Sequence, residues 1–222
     1  MNRVRLRRLS VTAMLCAFAY AAMFVFRFKV SFLTFDFKDA VLSLIGLLYG
    51  PFYGLAGALG VALLELLSVS DTGIYGFIMN FLSSGAFVLT VGTIYKYRRT
   101  FSGAIVASVL AVVTTTSVML LANLFITPYY MGVDRTAVID MLPTLLLPFN
   151  LCKTAMNSAV MLIIYKPVTQ ALRRARLIEG AESGYRFGTK TVLLAICSAL
   201  LAAGCAAVLI YVLGGSVNFF GS

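Results

Sequence analysis

The sequence predicts an all-α, polytopic membrane protein: a bundle of six helices followed by a C-terminal seventh transmembrane helix. Three observations carry this. Of the 222 residues, 61% are apolar and only 12% charged, against about 45–50% and about 25% in a soluble domain. Mean hydropathy is +0.97. The basic residues gather in short clusters between apolar runs of spanning length, which membrane topology explains better than nucleic-acid binding despite the net charge of +10. The chain has no histidine, which removes Ser-His-Asp and Cys-His nucleophile arrangements and HExxH zinc sites. No GxxxxGK[ST] loop and no DxxxD motif is present, so neither nucleotide hydrolysis nor a metal-dependent membrane enzyme is indicated. No cofactor is implied.

Each apolar run is delimited by charge or by a turn residue. The first, residues 9–26, follows a basic stretch that resembles a signal peptide in charge, but it is long enough to span and no convincing cleavage site follows. Residues 40–70 are interrupted by Tyr49-Gly50-Pro51. Proline lacks an amide donor and restricts its predecessor, so this run divides into a short second helix, 40–49, and a third, 52–69. Residues 72–95, 101–126 and 141–165 give the fourth to sixth helices, the last interrupted only by Lys153. Residues 191–213 give the seventh. The organisation is therefore 1–170 for the six-helix membrane domain, 171–190 for a linker, and 191–222 for the additional helix and tail. Cys16, Cys152, Cys197 and Cys205 lie in apolar runs without CxxC spacing and read as small apolar fillers.

The positive-inside rule supports the division at Gly50-Pro51. With it, Arg3, Arg5, Arg7, Arg8, the Lys96–Arg99 cluster and the basic residues of 166–190 share the cytoplasmic side, leaving Arg27, Lys29, Lys38 and Arg135 outside. The N-terminus is then cytoplasmic and the C-terminus external. Segments 27–39, 68–73 and 126–140 become external loops.

Charged and amide side chains at membrane depth cost several kcal/mol unless partnered, so each is a functional candidate. In Pro148-Phe149-Asn150-Leu151-Cys152-Lys153-Thr154-Ala155-Met156-Asn157, proline suits a first helical turn and Asn150, Lys153 and Asn157 share one face. Either this stripe is a ligand site or it is an interhelical clamp with Lys153 paired to Glu65 or an external aspartate. Asn80 and Asn123 can reach the same external half of the bundle, although each alone fits an ordinary interhelical hydrogen bond. In the first external loop, apolar and polar residues alternate from Arg27 to Asp39, consistent with an interfacial anchor or with a lid whose Phe35 and Phe37 face an aromatic ligand. Ala13, Ala17 and Ala21 recur every four residues and suit close helix approach, either within the bundle or to another protein. Gly50, Gly54, Gly57 and Gly60 fit internal packing.

These residues resemble a known family. Phe32-Leu-Thr-Phe-Asp-Phe-Lys-Asp39, Tyr49-Gly-Pro-Phe-Tyr-Gly54, the alanine ladder and Leu147-Pro-Phe-Asn-Leu-Cys-Lys153 are similar to the substrate-binding S components of energy-coupling factor (ECF) vitamin transporters, most of all their riboflavin-binding branch, over about residues 8–170. The resemblance implies a non-catalytic six-helix capture subunit that takes riboflavin or a related flavin from outside. Its implied partners are a transmembrane coupling subunit, docked on Ala13, Ala17 and Ala21, and two ATPase subunits. The resemblance also implies that Asn150 and Lys153 hydrogen-bond the flavin ring, that Asn123 assists and that the first external loop closes over the ligand; with the residues read directly, the candidate substrate-binding set is Thr34, Phe35, Asp36, Asp39, Gly76, Asn80, Asn123, Asn150, Lys153 and Asn157. Glu65 and the seventh helix depart from the family pattern. An S component for another vitamin, and an autonomous channel or proton-coupled carrier, remain the alternatives.

Overall fold

A computed structural model describes residues 3–25, 27–69, 72–178, 189–212 and 216–218. Its helices are α1 (Arg3–Val25), α2 (Lys38–Tyr49), α3 (Pro51–Ser68), α4 (Gly73–Tyr97), α5 (Phe101–Met131), α6 (Arg135–Met141), α7 (Leu147–Arg174) and α8 (Thr189–Ala207). Short strands β1 (Arg27–Val30), β2 (Leu33–Phe35) and β3 (Ser216–Asn218) form an antiparallel sheet in the order β2-β1-β3.

Among the described residues, five helical bodies are long and apolar enough to cross a membrane: 4–24, 51–68, 73–97, 102–131 and 135–174. The fold is thus all-α and polytopic. At 12 residues, α2 is about 18 Å long, short of the roughly 30 Å of hydrocarbon. It nonetheless returns the chain to the end where α1 begins, because Tyr49, Gly50 and Pro51 share a hollow with Arg8, Lys96 and Arg99.

The break between α2 and α3 falls where the sequence places it. Gly50 has φ 99° and Pro51 opens α3, a backbone that glycine adopts without strain and a position where proline loses no hydrogen bond. Gly54 is needed for close packing, since a Cβ there would sit 2.1 Å from Val88 Cγ1. Gly60 differs from the internal-packing expectation: a Cβ at Gly60 would meet nothing within 4 Å.

One loop expected from the charges is largely helical. The 126–140 segment contains the end of α5, which continues through Pro128 to a left-handed Gly132 at φ 65°, and all but the last residue of α6. From Arg135 the chain runs as one helical body to Arg174, through a wide π turn at Leu142–Leu146 in which the Leu147 amide donates to the Leu142 carbonyl. That turn contains Pro143 and is followed by Pro148, two positions at which the regular ladder lacks a donor. Helix α7 also extends past the expected end of the sixth span, to Arg174. Of the expected linker 171–190, residues 179–188 lie outside the described residues.

Val11, Leu15, Ala19 and Met23 of α1 are buried, the first three in the main apolar core with residues of α2, α3, α4, α5 and α7. A second core joins Val30 and Phe35 of the hairpin to Phe149, Cys152 and Met156 of α7. The alanines take the opposite face of α1: Ala13, Ala17 and Ala21 are exposed, beside Phe18 and Phe24.

Candidate functional site

The hairpin end of the bundle holds a cavity of about 250 Å³. Its roof is the β1–β2 turn and the strand that follows, Ser31 to Thr34 with Asp36. Its walls are Glu65 of α3, Gly76 and Asn80 of α4, Asn123 and Thr127 of α5, and Asn150 and Lys153 of α7. Phe32, Tyr75, Tyr130 and Phe149 supply aromatic surface.

Lys153 organises the roof. It is 6% exposed, and its Nζ donates to the Thr34 carbonyl at 3.1 Å and lies 3.5 Å from Asp36 Oδ2. Asp36 is also 3.5 Å from Lys38 Nζ. Burial alone would raise the Asp36 carboxyl, but the ammonium groups of Lys153 and Lys38, with the Lys38 amide donating to its Oδ1, hold it below the ordinary carboxylate value.

Asn157, one turn further along α7, fastens the same segment. Its Nδ2 donates to the Asp36 carbonyl at 2.9 Å and its Oδ1 accepts from the Ala40 amide at 2.9 Å. It therefore bonds both the roof and the start of α2, and it does not line the cavity. Phe35 and Asp39 are likewise set back. Phe35 is fully buried in the second core, edge-on to Phe37, because alternation along β2 turns it away from Thr34. Asp39 accepts from Ser84 Oγ. The sequence-derived residues that do converge on the cavity are Thr34, Asp36, Gly76, Asn80, Asn123, Asn150 and Lys153.

Two of the amides are partly committed. Asn123 Nδ2 donates to the Met119 carbonyl and its Oδ1 accepts from Thr127; Asn150 Nδ2 donates to the Leu146 carbonyl. These bonds fix the rotamers and leave the Asn150 carbonyl oxygen and the second proton of each amide for a guest. Asn80 makes no side-chain hydrogen bond among the described residues.

One pairing escaped sequence reasoning. Lys38, expected among the external cations, is 1% exposed and its Nζ donates to both Glu65 oxygens at 2.6 and 2.7 Å. The sequence carried half of the signal: a carboxylate inside an apolar helix requires a cation, but nothing local says which one. The charged residues lining the cavity are thus Lys29, Asp36, Glu65 and Lys153, with Glu65 held by Lys38 from behind and Lys153 paired to Asp36 at the edge of the hollow.

The family profile for the substrate-specific component of ECF transporters matches residues 7–165. The riboflavin transporter RibU of Staphylococcus aureus (strain TCH60) is 30% identical over 185 residues, covering 78% of this chain and 96% of that protein. The riboflavin transporter FmnP of Bacillus subtilis (strain 168) is 26% identical over 189 residues, covering 78% of this chain and all of that protein. A solved structure of the S component of a bacterial ECF transporter superposes with a TM-score of 0.65 at 30% identity, covering 77% of this chain and 99% of the other. The chain belongs to the family of substrate-specific components of ECF transporters, a non-catalytic transport class.

Proposed function

We propose that this chain captures riboflavin or a related flavin from outside the cell and passes it inward through a coupling subunit driven by two ATPases. The observation that carries the reading is Lys153 beside a hollow whose walls combine aromatic rings with the amides of Asn80, Asn123 and Asn150. An isoalloxazine has a flat apolar side and a uracil-like edge of alternating donors and acceptors. Carboxamides match both kinds, and the Lys153 ammonium gives a charge-assisted donor to a ring carbonyl. A guest without the polar edge would leave buried protein groups unpaired, and this confers selectivity. The two relatives named as riboflavin transporters support the same choice.

Six helical passes from α1 to α7 plus α8 as a seventh, with the N-terminus cytoplasmic and the hairpin end external, agree with the basic residues Arg8, Lys96 and Arg99 gathered at the opposite end. The exposed stripe Ala13, Ala17 and Ala21 presents small side chains to a neighbouring helix and is the proposed docking face for the coupling subunit.

The test is to extract the protein in mild detergent, release what it carries by denaturation, and identify it by absorbance and mass. A yellow, stoichiometric flavin supports the proposal. A different vitamin in its place would reassign the substrate, and uptake by this chain alone in liposomes would overturn the dependence on ATPase partners.

A further inference from the structure

We propose that the C-terminal segment, α8 with β3, positions the hairpin that roofs the cavity and so sets how fast the ligand exchanges. The inference rests on the ligand-capture reading above. The segment lies beyond residue 165, where the family match ends, and nothing in the ligand-binding geometry requires it.

The contacts run in one line from the C-terminal segment to Lys153. β1 is the central strand, paired with β2 on one edge and with β3 on the other, with Phe28 opposite both Phe35 and Val217. A two-stranded hairpin of strands this short is marginal alone, and a third strand adds the support it lacks. The underside is covered as well. Cys205, Ala206 and Val208 pack against the cluster containing Val30 and Phe35, both fully buried. Thr34 within β2 and Asp36 just after it meet Lys153 at 3.1 and 3.5 Å. Opening the roof therefore requires the hairpin to leave both β3 and the end of α8. Helix α8 itself packs along α7 while Ile196, Leu200 and Leu201 face outward, so it is an edge helix able to act on the hairpin without belonging to the main core.

The test compares the full chain with one ended after Val212, which loses β3 and keeps every described helix. Without ligand, amide hydrogen exchange at residues 33–38, whose strand partner is β1 and not β3, should quicken about tenfold while α4 and α5 stay unchanged. Riboflavin release should quicken by about tenfold as well, with association changed less. Unchanged exchange at 33–38, or equal acceleration throughout the bundle, would overturn the proposal. Failure of the full chain to bind riboflavin would sink the substrate reading and leave the exchange result to decide this one.

A second measurement keeps the full chain intact. Cys152 on α7 and Cys205 near the end of α8 are free thiols packed in the same apolar cluster. Diamide takes two electrons and two protons from the pair, becoming the hydrazine as the disulfide forms, and this fixes the end of α8 on α7. Oxidation should slow ligand release severalfold in the full chain and leave Cys205→Ser unaffected. A linked pair with unaltered release, or thiols that do not link, would contradict the positioning role.

Discussion

Removing the Lys38 ammonium isolates the cost of the buried ion pair. Lys38→Met keeps an unbranched chain of similar length but leaves Glu65, 6% exposed, without the two bonds of 2.6 and 2.7 Å that it receives. Asp36 loses one of its two cations and keeps Lys153. Breaking one side of a buried pair costs about 3–5 kcal/mol, whereas replacing both sides by apolar residues is often neutral or favourable. At about 2–4 °C per kcal/mol for a chain of this size, Lys38→Met should lower the Tm by about 6–20 °C. The double variant Lys38→Met/Glu65→Leu should recover most of that loss. Thermal unfolding followed by circular dichroism in one detergent reads all three proteins and the Glu65→Leu single variant. A loss below about 1 kcal/mol for Lys38→Met, as for an exposed pair, would refute the burial argument. So would a double variant whose loss equals the sum of the two singles, since contacting partners should couple.

Three other outcomes follow from the geometry. Gly54→Leu drives a side chain into Val88, where even the Cβ would lie at 2.1 Å, and should destabilise the α3–α4 contact by about 1–3 kcal/mol or more, measured as a lowered Tm. The Asp36 carboxyl, held below its ordinary value by Lys153 and Lys38, contributes stability that is fully present above the unfolded-state value and is lost as pH falls through the lower native one. Exchange protection at residues 33–38, corrected for the intrinsic exchange rate at each pH, should thus stay flat from about pH 8 to 5 and fall only below about pH 4; a midpoint near neutrality would assign the anchoring to another group. Ala17→Phe should preserve riboflavin binding by the isolated chain and abolish uptake in cells supplying the coupling subunit and ATPases, because a bulky ring on the exposed α1 stripe blocks close helix approach.

What could be read from the sequence depended on the range of the interaction. Five of the expected spans, the Gly50-Pro51 break and the inward stripe of α7 were legible because each rests on local hydropathy, backbone chemistry or helical spacing. Convergence of Asn80, Asn123, Asn150 and Lys153 on one hollow was partly legible, since polar groups in apolar helices must face one another. The roles of Phe35 and Asn157 were not. Alternation places Phe35 opposite Thr34, but only the packed hairpin decides which face meets the cavity. Asn157 shares a stripe with Lys153, yet its depth along α7 brings it to the Ala40 amide instead. The Lys38–Glu65 pair spans 27 residues and depends on how far the loop before α2 dips into the bundle, which no local pattern encodes. Pairing of β3 with β1 joins chain segments nearly at opposite ends, and three residues of strand carry too little periodicity to announce it.

The central claim is that the Lys153 hollow is a flavin site. Calorimetric titration of the purified protein with riboflavin, beside Lys153→Met in the same detergent, addresses it most directly. One saturable site per chain in the native protein, weakened by about 10-fold to 100-fold in the variant through loss of a charge-assisted hydrogen bond, is the predicted result. Absence of saturable binding, or equal affinity in the two proteins, would contradict it.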